Sequence, residues 1–166
     1  MSGVLAYLGL GANLGQAQTT LVQAVEQLHQ TPGIQVVAGS PFYRSAPVDA
    51  NGPDYTNAVC AVRTTLSPEA LLDRTQAIEQ AFGRERPYRH APRTLDIDIL
   101  FYGDQAYQSE RLCIPHPRLF ERAFVLHPLH DLNPDLGLLP QDWTALLAAV
   151  SKQTIERLSG PGLGKA

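Results

Sequence analysis

The chain has 166 residues, of which 44% are hydrophobic and 17% charged, and its formal net charge is −3. That length and composition suit one domain, 1–166, with a sizeable core, and read as globular rather than disordered. The slight acid excess argues against broad attraction to nucleic acid or a membrane surface, while leaving room for a local basic cleft. Cys60 and Cys113 are too few and too far apart for a disulfide framework or a zinc site. No basic n-region precedes the apolar run 4–10 and no stretch is long enough to span a bilayer, so a cytoplasmic protein is expected.

In chain order, the run 4–10, closed by Gly9 and Gly11, predicts a first strand entering a tight turn. Leu21, Val25 and Leu28 then recur at helical spacing within 16–29, and Pro32-Gly33 ends that helix. The stretch 34–44 is β-branched and aromatic but interrupted by Gly39 and Pro41, which predicts a strand with a bend or bulge. After a turn-rich segment, 55–65 alternates as a second long strand. Ser67 and Pro68 supply a cap and a first-turn residue to a helix whose inner face is Leu71, Thr75, Ile78 and Phe82, and Gly83 stops it. The stretch 94–102 is another strand, followed by a Gly103-Asp104 turn.

The order β-α-β-β-α-β predicts an α+β fold, a ferredoxin-like plait with C-terminal additions. Those additions are a proline-punctuated stretch, 115–140, and a short helix over 142–152. The two main helices should cover one sheet face and leave the other for a site or for the additions.

The most informative segment is Arg93-Thr94-Leu95-Asp96-Ile97-Asp98-Ile99-Leu100. On a strand Leu95, Ile97 and Ile99 point one way and Asp96 and Asp98 the other, with the two aspartate Cα atoms about 6.6 Å apart. Carboxylates so close repel unless protons or a cation neutralise them, and magnesium held by carboxylates and completed by phosphate oxygens is a natural partner. Two such ions, about 3.5–4 Å apart, could be bridged from this platform. The alternative reading is a solvated edge strand with surface arginines. Seven of the 13 Lys and Arg residues fall between Arg84 and Arg122, where forked guanidinium groups would match phosphate oxygens.

Other motifs are less specific. Gly9-Leu10-Gly11-Ala12-Asn13-Leu14-Gly15 is one residue too long for a dinucleotide loop, and no acid ends the next strand, so it reads as a turn. With lysine only at 152 and 165 there is no Walker loop, and any ATP phosphates must be held by arginines and metal. His116, between Pro115 and Pro117, is either a phosphate donor or a hydrogen-bonded loop histidine; His29, His127 and His130 read as capping or packing groups. Tyr55 and Asn57 share a strand face and would suit a flat heterocycle, or serve structure alone.

The run from Arg89 to Leu100 resembles the signature of the 6-hydroxymethyl-7,8-dihydropterin pyrophosphokinase family of folate biosynthesis. Gly11-Ala12-Asn13-Leu14-Gly15 is similar to that family's opening turn, with Ala12 for serine. Phe42-Tyr43-Arg44-Ser45, Pro53-Asp54-Tyr55 with Asn57-Ala58, Ile78-Glu79 to Gly83-Arg84, Arg111-Leu112 with Ile114-Pro115-His116, and Arg122-Ala123-Phe124 follow in family order, over roughly 4–136.

The resemblance implies transfer of a pyrophosphoryl group from ATP, the co-substrate, to the pterin hydroxymethyl group, with AMP leaving. It implies that Asp96 and Asp98 bind two magnesium ions. Ser45, Ala46, Val48, Tyr55, Asn57, Asp96 and Phe124 would form the pterin pocket. Gln76, Glu79, Ile99, Arg111, Cys113, His116 and Arg122 would contact ATP, and Arg84 and Arg93 would close over its phosphates and serve catalysis with the two aspartates. His90 stands where many relatives carry tryptophan, Ala46 where proline is frequent, and Cys113 where threonine is common. The partners expected are small-molecule substrates, with no nucleic acid and no membrane, acting on a monomer. The rival readings are a ferredoxin-like RNA-binding module, which needs surface aromatics and a basic sheet face, and a metal-dependent phosphoryl transferase with another acceptor.

Overall fold

The computed structural model describes residues 3–13, 16–45, 54–83, 95–132 and 142–163. The first strand, β1 (Val4–Ala12), leads into α1 (Ala17–Gln30), β2 (Ile34–Gly39), β3 (Tyr43–Ser45) and β4 (Tyr55–Thr64). Then come α2 (Pro68–Gly83) and β5 (Asp96–Tyr102), followed by a small hairpin of β6 (Tyr107–Gln108) and β7 (Cys113–Ile114). A 3-10 turn (Leu119–Glu121), α3 (Ala123–Asp131), α4 (Trp143–Ala149) and β8 (Ile155–Arg157) complete the described chain.

The main sheet runs β5-β1-β4-β3-β8, with β2 also on β4, and every pairing is antiparallel. It is an α+β fold.

Alternation along β1 explains both faces of this sheet. Ala6, Leu8, Leu10 and Ala12 point to a core shared with Leu21, Ala24, Val25 and Leu28 of α1 and Leu71, Leu72 and Ile78 of α2. The α1 residues stand at the three- and four-residue spacing that makes one apolar helix face. Tyr7 points the other way, into a second core with Val59, Ala61, Phe101, Leu126, Leu129 and Leu146. Thus α1 and α2 cover one face as expected, and α3 and α4 cover part of the other.

Two local features differ from the sequence expectations, and a third falls in a stretch to which they assigned no element. Gly9 and Gly11 are not in a turn: β1 continues through them to Ala12, because pairing to β4 and β5 on both sides, unbroken to Ala12↔Thr56 on the β4 side, outweighs the weak strand preference of glycine. The bent second strand is two strands. At the break, next to Pro41, Ser40 satisfies both backbone groups of Val59: its hydroxyl accepts the Val59 N–H at 2.9 Å and its own N–H donates to Val59 O at 2.9 Å. Within the proline-punctuated stretch, Ala123–Asp131 is helical despite Pro128. Burial of Ala123, Val125, Leu126, Pro128 and Leu129 against the sheet outweighs the one backbone hydrogen bond that proline removes. The Tyr43 hydroxyl donates to the Asp131 carboxylate and fastens the far end of α3 to β3.

The capped start of α2 is as expected. Ser67 Oγ accepts the Ala70 N–H at 3.2 Å, and Leu71 and Thr75 on its inner face are fully buried. In β5 the register shifts between Tyr7 and Leu8, so Leu100 is the extra residue of a bulge. Leu100 and Phe101 consequently both join the second core, while Ile97 and Ile99 stay under the helices.

Phe101 is wholly buried at that bulge. Phe101→Ala should cost about 3–5 kcal/mol, read as a lower midpoint in urea unfolding. A loss under about 1 kcal/mol would mean that the second core does not hold β5 in place.

Candidate active site

On the second face, the ends of β1, β4 and β5 are left uncovered by α3. The result is a cleft of about 880 Å³. Its floor follows from strand register. Gly9 lies opposite Asp98 on one side and Val59 on the other, and Gly11 lies between Asp96 and Asn57. Because side chains alternate, Gly9, Gly11, Asn57, Val59, Asp96 and Asp98 all face the cleft. The two glycines keep the floor bare between the carboxylates and the amide. A Cβ on Gly11 would stand 3.1 Å from Asn57 Oδ1, and one on Gly9 would only touch Leu100 at 3.5 Å.

The amide wall is built in the sheet. Asn57 and Ser45 are both buried, and Asn57 Nδ2 donates to Ser45 Oγ at 2.7 Å. That bond fixes the amide orientation and leaves Oδ1 on the Gly11 side as an acceptor. Tyr55, two residues before Asn57, borders the same wall. Across the cleft the start of α3 presents Phe124 with Arg122, whose guanidinium carbon lies 5.5 Å from the ring centroid. Arg118, Glu121, Gln153, Thr154 and Ile155 close the remaining sides.

The acidic end is held from outside the cleft. Glu79 of α2 accepts the Ile97 N–H at 2.7 Å, so the helix grips the edge strand between the two aspartates. His116 Nε2 lies 4.0 Å from Asp98 Oδ1. Its Nδ1 accepts the Arg118 N–H at 3.2 Å, which puts the proton of a neutral ring on Nε2, on the Asp98 side. Burial lowers the His116 pKa below the ordinary imidazole value; the Asp98 carboxylate opposes this, and Arg122 and Arg118 add to the lowering. Neutral His116 is therefore a hydrogen-bond donor to whatever sits between itself and Asp98.

Asp96 and Asp98 are the carboxylate pair that could hold a divalent cation. Among the described residues no three His, Cys, Asp or Glu side chains form a ready metal cage. Two carboxylates with an open cleft before them fit magnesium, which keeps water and phosphate oxygens in its remaining positions.

The expected site residues thus fall into groups. Ser45, Tyr55, Asn57, Asp96, Asp98, Arg122 and Phe124 line one cleft, with His116 beside Asp98. Gln76 and Arg111 meet each other at 3.3 Å on the far side of β5, where Arg111 also pairs with Glu69 and Asp73. Ile99 is buried under the helices, and Cys113 Sγ lies 3.7 Å from Pro115 O; neither borders the cleft. Ala46, Val48, Arg84 and Arg93 lie outside the described residues.

Sequence reasoning missed Gly9 and Gly11 as the floor, and Arg118, Glu121, Gln153, Thr154 and Ile155 as walls. The two-residue spacing of Tyr7, Gly9 and Gly11 carried the first signal, since it places three residues on one strand face. The others come together only through tertiary contacts.

The 7,8-dihydro-6-hydroxymethylpterin-pyrophosphokinase (HPPK) family model matches residues 7–134. A 2-amino-4-hydroxy-6-hydroxymethyldihydropteridine pyrophosphokinase of Pseudomonas aeruginosa is 44% identical over 160 residues, covering 93% of this chain and 96% of its own. One of Methylorubrum extorquens is 44% identical over 154 residues, covering 92% and 98%. Among solved structures, a Plasmodium falciparum HPPK-DHPS chain superposes with a TM-score of 0.68 at 14% identity, over 87% of this chain and 44% of that one. A further HPPK-DHPS chain in complex with substrates gives 0.69 at 14%, over 90% and 43%. This chain spans less than half of each of those solved chains, and their likeness bears on the fold. By model and by sequence identity, the chain belongs to the 7,8-dihydro-6-hydroxymethylpterin-pyrophosphokinase family.

Proposed function

We propose that this protein transfers the terminal pyrophosphoryl group of ATP to the hydroxymethyl group of 6-hydroxymethyl-7,8-dihydropterin, as a magnesium-dependent enzyme of folate biosynthesis. The observation that carries the reading is the juxtaposition on one sheet face of a buried, oriented amide and a pair of carboxylates, separated only by glycine. The amide suits a flat heterocycle with donors and acceptors on its edge. The carboxylates, carrying a divalent cation, would suit the place where phosphate charge must be gathered. The curated relatives' names describe the same activity.

In this reading the pterin lies between Tyr55 and Phe124 with its edge toward Asn57 and Ser45, and Ala46 and Val48 complete that pocket. Its hydroxymethyl arm points along the bare floor toward Asp96. The triphosphate lies over Asp98, where His116 and Arg122 donate to its oxygens, and the nucleotide end runs out of the cleft past β5 toward Gln76, Glu79, Arg111, Cys113 and the backbone of Ile99. The hydroxyl oxygen attacks the β-phosphorus, loses its proton, and the bond from that phosphorus to the α,β-bridging oxygen breaks to release AMP. Asp96 and Asp98 would hold two magnesium ions, which neutralise phosphate charge and lower the cost of losing the hydroxyl proton. Arg84 and Arg93 close over the phosphates and exclude water, stabilising charge that moves toward AMP.

We further propose that 1–166 works as one domain, as a monomer in the cytoplasm. Two cores sharing one sheet support the single domain, and no helix among the described residues is long and apolar enough to cross a membrane.

The direct test is product analysis with ATP, magnesium and the pterin. AMP and pterin diphosphate should appear in equal amounts and vanish when the metal is chelated. ADP as product would mean attack at the γ-phosphorus, and turnover without metal would remove the role given to Asp96 and Asp98.

The floor gives a second prediction. Gly11→Val places branched carbons against Asn57 on a strand that tolerates valine, so the fold should persist while pterin affinity falls at least about tenfold, or about 1.4 kcal/mol. Unchanged pterin affinity in a folded variant would place the heterocycle elsewhere.

A further inference from the structure

The family model ends at residue 134, yet Gln153, Thr154 and Ile155 line the cleft. Gln153 makes two specific bonds there. Its Oε1 accepts the Ala123 N–H at 2.8 Å, and its Nε2 donates to Glu121 O at 2.7 Å. Those two groups flank Arg122, the residue that opens α3.

The first N–H groups of a helix have no partner inside it, and Arg122 makes no side-chain cap. The missing acceptor comes instead from a residue 30 positions further along the chain. Phe124 is the second residue of α3, so the clamped peptide sets where its ring stands. Immediately after Gln153, β8 pairs with β3, with Ile155 opposite Ser45 and Arg157 opposite Tyr43. The segment 153–157 therefore joins the Phe124 wall of the cleft to the wall built by Ser45 and Asn57.

We propose that Gln153 is a positioning residue for the acceptor half of the cleft. It fixes the peptide around Arg122 and Phe124, and through β8 it sets the gap between Phe124 and the Ser45–Asn57 wall. The inference rests on reading that half as the pterin site. In that reading Arg122 shares the triphosphate with His116 and the carboxylate-held metal, and its long side chain can adjust, so the nucleotide depends on the clamp less than the pterin does.

The test compares the full-length wild type with Gln153→Ala and Gln153→Glu, by thermal unfolding and by Kd for the pterin and for an unreactive ATP analogue with magnesium present. Gln153→Ala should weaken pterin binding about fivefold and the analogue less than twofold. Ionised, the glutamate can still accept the Ala123 N–H but has no proton for Glu121 O. Protonated, it regains that donor. The pterin Kd of Gln153→Glu relative to wild type, each measured at the same pH, should therefore fall toward one as pH drops from about 7 through the ordinary glutamate value to about 4, while that of Gln153→Ala stays constant. A purely structural role would produce no such recovery.

Pterin Kd within twofold of wild type in both variants overturns the clamp. So does a loss shared equally by pterin and analogue that tracks the loss of thermal stability. A wild type that binds no pterin overturns the reading on which the clamp rests, and is told apart from the other two outcomes by that control alone.

Discussion

The pairing of β5 with β1 fixes nearly everything else in the site. In that register Gly11 faces Asp96 and Gly9 faces Asp98, and the carboxylates share the cleft face with the amide of Asn57. A slip of one residue would drive both aspartates under α1 and α2 and turn Ile97 and Ile99 toward solvent. The cost of burying two unpaired carboxylates is far beyond what a marginally stable fold can absorb. Three features hold the register: the buried side chains of Leu95, Ile97 and Ile99, the bulge that seats both Leu100 and Phe101 in the second core, and the Glu79 carboxylate on the Ile97 N–H.

The same constraint explains how packing and function divide the sheet. One face is spent on a continuous apolar core beneath two helices, so the strands need no other support there. The opposite face can then be left bare at one end, where glycine replaces side chains that would otherwise fill the space. At the other end α3 covers it, tied to β3 through Tyr43 and Asp131 and to the C-terminal segment through Gln153. Phe124 stands at the boundary, partly packed on the second core and partly open to the cleft.

Much of this could be read in the sequence, for identifiable reasons. Leu-Asp-Ile-Asp-Ile states its own geometry, because a period of two separates apolar from acidic positions whatever the partner strand is. Ser67-Pro68 and the spacing of Leu71, Thr75 and Ile78 are equally local, and α2 begins and packs as they require. The sequence was misleading where a residue's role depends on a distant neighbour. Gly9 and Gly11 suggest a turn until β4 and β5 are placed on either side of them. The prolines of 115–140 leave that stretch without an assigned element until the apolar face of α3 meets the sheet. Gln153 lies in a polar stretch with no motif, and its importance comes from two backbone groups some thirty residues earlier. Arg111 likewise takes its place from distant residues, since it meets Glu69, Asp73 and Gln76 of α2 beyond the lining of the cleft.

The most direct measurement is a crystal structure of the protein with 6-hydroxymethylpterin, magnesium and an unreactive ATP analogue. The account places the pterin between Tyr55 and Phe124 with its edge on Asn57, its hydroxymethyl oxygen toward the β-phosphorus, and the metal on Asp96 and Asp98. A heterocycle bound away from Asn57, or metal held by neither aspartate, would contradict it.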